Sequence, residues 1–174
     1  LFGNLVLSGN WAAAQQAQGQ PVRIGSTLSL TGPLAQTSII HKLAGEIYVD
    51  ELNKRGGLLG RPVEWIVLDD QSKPDVTRTL YERLITVDKV DLIIGPYGTA
   101  SILAAIGVAQ RYQKMIVHGT MGIPHLATFD MQFSANTAGA EPNRTFPDIL
   151  FDAYKNAAAP PKTVLIATSK FPST

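Results

Sequence analysis

The chain has 174 residues, of which 45% are hydrophobic and 17% charged, and its formal net charge is +1. That is enough apolar material for one sizeable core, and the near-neutral balance excludes a disordered charged tail and gives no electrostatic footprint for nucleic acid or anionic lipid. Cysteine is absent, which excludes disulfides, thiolate metal sites, a cysteine nucleophile and the lipid-bearing cysteine of a lipoprotein.

The opening "LFGNLVLSGNWAAAQQAQGQP" shifts from apolar to Gln-rich. An apolar run followed by the small residues Ala12 to Ala14 resembles the back half of an export signal, with an ordinary frayed N-terminus as the alternative. "VRIGSTLSL" (22–30) predicts a first strand, ended by Thr31-Gly32-Pro33. A helix follows, with Ile40, Leu43, Ala44, Ile47, Tyr48 and Leu52 on its expected buried face and Gly56-Gly57 closing it. "VEWIVLDD" (63–70) predicts the second strand. Ser72 is a candidate cap and Pro74 a first-turn residue for the next helix, whose expected stripe is Val76, Leu80, Leu84 and Val87. "VDLIIG" (90–95) is nearly all apolar, as in a strand covered on both faces. Ile102, Ile106 and Ala109 mark a third helix, "KMIVHG" (114–119) a fourth strand, residues 123–128 a turn or short helix, and "MQFSAN" (131–136) a fifth strand. Residues 142–159 carry Phe146, Leu150, Ala153 and Ala157 at helical spacing. Pro160-Pro161 ends that helix, and "TVLIATS" (163–169) predicts a last strand.

Strands alternating with helices predict an α/β fold, a parallel sheet with helices on both faces and right-handed crossovers. Ligands of such folds gather beyond the carboxyl ends of the strands, here Thr31 to Ser38, Asp69 to Lys73, Pro96 to Thr99 and His118 to Gly122. The turn "GPYGT" (95–99) offers backbone N–H groups at a helix start and the Thr99 hydroxyl, a site suited to a carboxylate. It lacks the G-x-G-x-x-G of a dinucleotide site and the Gly-Lys-Ser/Thr of a P-loop. The alternative is that Thr99 only caps its own helix. A helix dipole gives roughly 0.3–1 kcal/mol and a charge-assisted hydrogen bond about 1.5–3, so this turn alone falls short of the ~8 kcal/mol of micromolar binding. A second surface has to close over the ligand.

Asp69-Asp70 are expected as a solvated or ion-paired strand end, with a metal or phosphoacceptor pair as the lesser reading. His41, His118 and His125 lack metal-ligand spacing, and His118 is expected as a hydrogen-bonded structural residue. No G-x-S-x-G elbow occurs. The chain therefore reads as a non-enzyme with no cofactor and no metal.

"LTGPLA" (30–35), "VDELNKRGGLLGRPVEWIVLDDQSKP" (49–74), "VDLIIGPYGTAS" (90–101) and "HGTMGIPHL" (118–126) occur in the order and spacing of one family. The chain resembles the periplasmic solute-binding proteins of ABC importers for branched-chain amino acids, the leucine/isoleucine/valine-binding type, from about Val22 onward. The resemblance implies two α/β lobes of the type I arrangement, clamping a small solute by hinge closure. On that comparison 1–20 is a signal remnant and flexible N-terminus, 21–135 an incomplete first lobe, and 136–174 a crossover ("FSANT", 133–137) and the start of a truncated second lobe. It also implies a soluble, exported, periplasmic protein that is monomeric when intact, works with an inner-membrane ABC permease and binds no nucleic acid. A ligand-sensing regulator of the same fold is the alternative.

Site residues follow from the same resemblance. Thr99, with Tyr97 and Gly98, would hold the carboxylate of an amino acid or a related carboxylate or amide. Thr120 and Gly122, with Met121 between them, would face the ammonium and carboxylate. Thr37 and Ser38 stand where some members place an aromatic ring. Gly122 has no hydroxyl, and Tyr97 and Met121 suit a bulkier solute, such as an aromatic carboxylate, as well as leucine.

Overall fold

The computed structural model describes residues 18–121, 126–135, 142–159, 162–163 and 165. Within them lie β1 (Val22–Leu28), α1 (Ala35–Lys54), β2 (Val63–Asp69), α2 (Pro74–Thr86), β3 (Leu92–Ile94), α3 (Thr99–Arg111), β4 (Ile116–His118), β5 (Gln132–Ser134) and α4 (Pro142–Lys155). Residues 1–17 of the N-terminal segment, the turn at 122–125 with His125, and most of the strand expected over 163–169 lie outside the described residues.

All five strands are parallel, in the order β2-β1-β3-β4-β5. β1 and β2 pair along their full length, from Val22↔Val63 to Leu28↔Asp69. β3 docks on the other edge of β1 through Ile24↔Leu92 and Gly25↔Ile93. The chain thus steps from β1 to one side and returns past it to the other. That reversal leaves a crevice beyond the carboxyl ends of β1 and β3, where open parallel sheets hold ligands.

Alternation along β1 separates the two faces of the sheet. Gly25 and Thr27 face α2: a Cβ on Gly25 would stand 3.0 Å from Val90 and 3.1 Å from Leu84. Tyr81 donates its O–H to the Ile94 carbonyl. Beneath α2 and α3 lies the core, with Tyr81, Leu84, Val90, Ile93, Ile102, Ile106, Ile116 and Met121 all buried. Burial pushes the Tyr81 phenol well above its usual pKa, so it stays a neutral donor.

Ser26 points to the opposite face and accepts the Trp65 indole N–H at 3.1 Å. Trp65 lies directly under α1, where a Cβ on Gly45 would fall 2.3 Å from its ring. This seat decides how α1 is turned. Ser38 is buried and Gly45 half-buried, whereas Ile40, Leu43, Ala44, Ile47 and Tyr48 of the expected buried stripe are exposed. The stripe has helical spacing but does not face the sheet.

In α2 the buried residues are Thr77, Tyr81, Leu84 and Ile85; of the expected stripe Leu84 is buried, while Val76 and Leu80 are half-buried. Val87 is 70% exposed. Tyr81 displaces the aliphatic choice because its ring fills the core while its hydroxyl satisfies a strand carbonyl. The α3 stripe Ile102, Ile106 and Ala109 is buried as predicted. Phe146 and Leu150 of α4 are exposed.

Candidate functional site

Three loops meet at the crevice: β1–α1, β2–α2 and β3–α3. Pro33 and Leu34 come from the first, Ser72 from the second with Pro74 at the head of α2, and Tyr97 and Gly98 from the third with Thr99 to Ser101 at the head of α3. Together they line a cleft of about 160 Å³. A larger groove of about 540 Å³ adjoins it and shares Tyr97. It runs down the α1 face of the sheet along Ile24, Leu28, Leu92, Ile94 and Val117, and reaches Gly95, Pro96, Gly119 and Thr120 at the strand ends.

At the head of α3, Gly98 is the N-cap, with φ 89°. Thr99 is therefore the first helical residue and not the cap. Its side chain is 1% exposed, at the floor of the smaller cleft. The turn is braced from β4: the Gly98 N–H donates to Thr120 Oγ1 at 3.0 Å, and the Thr120 hydroxyl donates to the Pro96 carbonyl at 3.3 Å. The Thr120 hydroxyl thus joins two strand ends. Gly95 permits this approach, since a Cβ there would meet the His118 Cβ at 2.6 Å.

Tyr97 is half-buried, and its ring stands 5.0 Å from that of His41 at 53°. The His41 ring is held by an Nδ1–H bond to the Thr37 carbonyl at 3.0 Å. This pair roofs the junction of the two concavities, and sequence reasoning missed His41, whose approach to Tyr97 depends on how α1 is turned. Thr37 is exposed, whereas Ser38 is fully buried with its hydroxyl accepting the Ser29 N–H at 3.2 Å. Met121 is also fully buried, in the core beneath α3. Gly122 lies outside the described residues. His118 is structural, as expected: it is 1% exposed, and its Nε2–H donates to Gln132 Oε1 at 2.6 Å.

The acidic pair meets expectation only in part: Asp69 is a half-exposed strand end, whereas Asp70 is buried, and both are held by hydrogen bonds. Asp70 is fully buried and accepts from the Thr27 hydroxyl (2.8 Å), the Ser29 hydroxyl (2.7 Å) and the Ser72 N–H (3.0 Å). Asp69 accepts from the Leu30, Thr31 and Gln71 N–H groups at 2.9, 3.1 and 2.9 Å and from the Thr31 hydroxyl at 2.7 Å. Burial raises the Asp69 pKa, but these hydrogen bonds outweigh it and hold the carboxyl below the usual carboxylate range. Ser72 is not a cap either, since Lys73 occupies that position. Its hydroxyl donates to the Thr31 carbonyl at 3.0 Å and accepts the Leu34 N–H at 3.1 Å.

Among the described residues, no group of three or more metal-ligating side chains forms a cluster, and no helix is long and apolar enough to cross a membrane. The arrangement is chemically a binding crevice, with amides and hydroxyls at the strand ends and apolar walls below.

Comparison with known proteins agrees with this architecture. A model of the periplasmic binding protein family matches residues 21–160. The chemotactic signal transduction system substrate-binding protein BasB of Halobacterium salinarum is 30% identical over 112 residues, covering 63% of this chain and 27% of that protein. The crystal structure of a leucine binding protein, LivK of Thermotoga maritima, is matched with a TM-score of 0.65 and 25% identity, over 78% of this chain and 37% of that one. A solute binding protein of an ABC transporter from Rhodopseudomonas palustris BisB5, solved in complex with 3,4-dihydroxybenzoic acid, is matched with a TM-score of 0.58 and 25% identity, over 66% and 31% of the two chains. The chain spans about a third of the length of the relatives it matches. Its sheet is that of a type I periplasmic binding protein, and the chain belongs to the periplasmic binding protein family.

Proposed function

We propose that this chain supplies the first lobe of an extracytoplasmic solute receptor, which captures a small carboxylate-bearing solute beyond β1 and β3 and delivers it to an ABC permease for import. The observation that carries the reading is the meeting of three loops around the head of α3, whose N-cap is Gly98. The first-turn amides and the positive end of the helix dipole favour an anionic group there. Thr99, Gly98 and Tyr97 are the contacts at the polar end of the solute. Thr120 supports them through Gly98. The apolar groove beside Tyr97 suits an aliphatic or aromatic remainder, so a branched-chain amino acid and an aromatic acid are the two solute classes to test.

In this reading residues 21–135 form the lobe, 136–174 cross to and begin a second one, and 1–20 are the remnant of an export signal. The intact receptor is a periplasmic monomer that turns over no substrate. A second lobe is required energetically, because a dipole and two or three charge-assisted hydrogen bonds do not reach the ~8 kcal/mol of micromolar affinity. A sensing role is the second reading, favoured by the chemotactic relative from Halobacterium.

The test is a thermal-shift and calorimetric screen of the full-length protein with L-leucine, L-isoleucine and 3,4-dihydroxybenzoate. Saturable binding with a raised Tm is expected for at least one class. Thr99→Ala should weaken it by about 1.5–3 kcal/mol, roughly ten- to a hundredfold in Kd. Absence of binding across both classes would sink the receptor reading. Loss of solute uptake on gene deletion supports import, whereas loss of a tactic response with intact uptake supports sensing.

A further inference from the structure

We propose that Asp69 and Asp70 are positioning residues of the solute site: they clamp the β1–α1 loop onto the β2–α2 loop so that Leu34 closes against the head of α3. The inference rests on the proposed function and goes beyond it, because neither carboxylate lines the cleft or the groove.

The clamp can be followed bond by bond. Asp69 gathers the Leu30 and Thr31 amides and the Thr31 hydroxyl on one side and the Gln71 amide on the other. Asp70 does the same one residue deeper, joining the hydroxyls of Thr27 and Ser29 to the Ser72 amide. Ser72 extends the clamp outward through the Thr31 carbonyl and the Leu34 amide. Gly32 lets the loops touch. Its φ is +85°, and a Cβ there would stand 2.7 Å from both the Gln71 carbonyl oxygen and Ser72 Oγ. At the far end of the chain of contacts, Leu34 Cδ1 lies 3.6 Å from where a Gly98 Cβ would be. Pro33 and Leu34 are the contribution of this loop to the cleft. A loop held this way is presented in its binding geometry before the solute arrives. Without the clamp, only a fraction of molecules is competent, and the apparent affinity falls by that fraction.

A loss of competent fraction lowers the association rate constant and leaves dissociation nearly unchanged, whereas loss of a direct contact raises dissociation. The experiment compares wild type, Asp69→Ala, Asp69→Asn and Ser72→Ala in the full-length protein. Stopped-flow binding uses L-leucine, L-isoleucine and 3,4-dihydroxybenzoate as probes, and amide hydrogen exchange is followed without solute. Asp69→Ala should raise Kd roughly tenfold or more, mostly through slower association. It should also lose amide protection at Leu30, Thr31 and Leu34. Asp69→Asn keeps an acceptor for the three amides and should recover most of both. Ser72→Ala, a milder change, should lower protection at Leu34 and slow association to a smaller degree, and it serves if Asp69→Ala fails to fold.

A fall in Tm with unchanged association and protection would overturn the proposal, as would a rise in dissociation alone. If wild type binds none of the probes, the receptor reading fails by itself. The exchange measurement then still decides the clamp: unaltered protection in the variants overturns it, and lost protection at these amides supports it.

Discussion

Asp69 carries an acid sensitivity that can be read directly from its surroundings. Its folded pKa lies below the usual carboxylate value, so it binds a proton more weakly in the folded than in the unfolded chain, where a carboxyl titrates at about pH 3.9. The stability it contributes is therefore fully present above about pH 4 to 5 and is lost as the pH falls through its depressed folded value. Urea unfolding of wild type should lose stability as the pH falls below about 4, and Asp69→Asn should show a shallower loss over the same range. A second prediction at this scale concerns Gly98. There is room for a methyl group, the nearest atom being 3.6 Å away, but φ is +89°. Gly98→Ala should therefore cost about 1–2 kcal/mol in chemical unfolding through backbone strain rather than overlap. The residues of the acidic pair were legible in the sequence, but their role was not. Their partners on β1 and the β1–α1 loop stand 38 to 43 positions away, and no local pattern encodes hydrogen bonds across two strands.

At the scale of elements, strands and helices were largely legible because their periodicity is local. Each of the five strands observed lies within the stretch expected for it, and all of them shorten at their ends, where the ladder stops and the functional loops begin. The orientation of α1 was not legible. Its apolar residues repeat at helical spacing, but which side faces the sheet is set by Trp65, which admits only a residue without a Cβ at position 45. Gly45→Ala should destabilise the chain by about 1–3 kcal/mol in urea unfolding, the usual cost of overpacking. The loss should shrink in a Trp65→Leu background, a coupling that a double-mutant cycle measures. Should Gly45→Ala cost the same in both backgrounds, the close approach is not what seats the helix.

At the scale of the whole molecule, the described residues cover one face of the sheet well and the other only partly. α2 and α3 bury the first. On the second, α1 sits over Trp65 and leaves the groove of about 540 Å³ beside it. Ile94 on that face is 41% exposed and Phe133, paired with Val117, is 51% exposed. The α1 stripe adds Ile40 and Leu43, which are 65% and 59% exposed. Apolar surface of this extent marks an interaction face. The isolated 174-residue chain should accordingly bind a hydrophobic dye such as ANS and elute from a sizing column above its 18.7 kDa. A monomeric elution with no dye binding would refute the assignment of this face as uncovered.

The sequence by itself determined the alternation of strands and helices, the parallel sheet, the position of the turn at Gly95 to Thr99, and the family resemblance carried by "NKRGGLLGRP" and the loops around it. Those features depend on neighbours a few residues apart, through side-chain periodicity and the backbone freedom of glycine. Only the tertiary structure decided that α1 turns its apolar stripe outward, that Met121 and Ser38 point inward, that His41 meets Tyr97, and that Asp69 and Asp70 bind the first two loops together. Each of these depends on which distant segment occupies the adjoining space. Close packing and the pairing of buried polar groups settle that question across the fold, and no short window of sequence contains it.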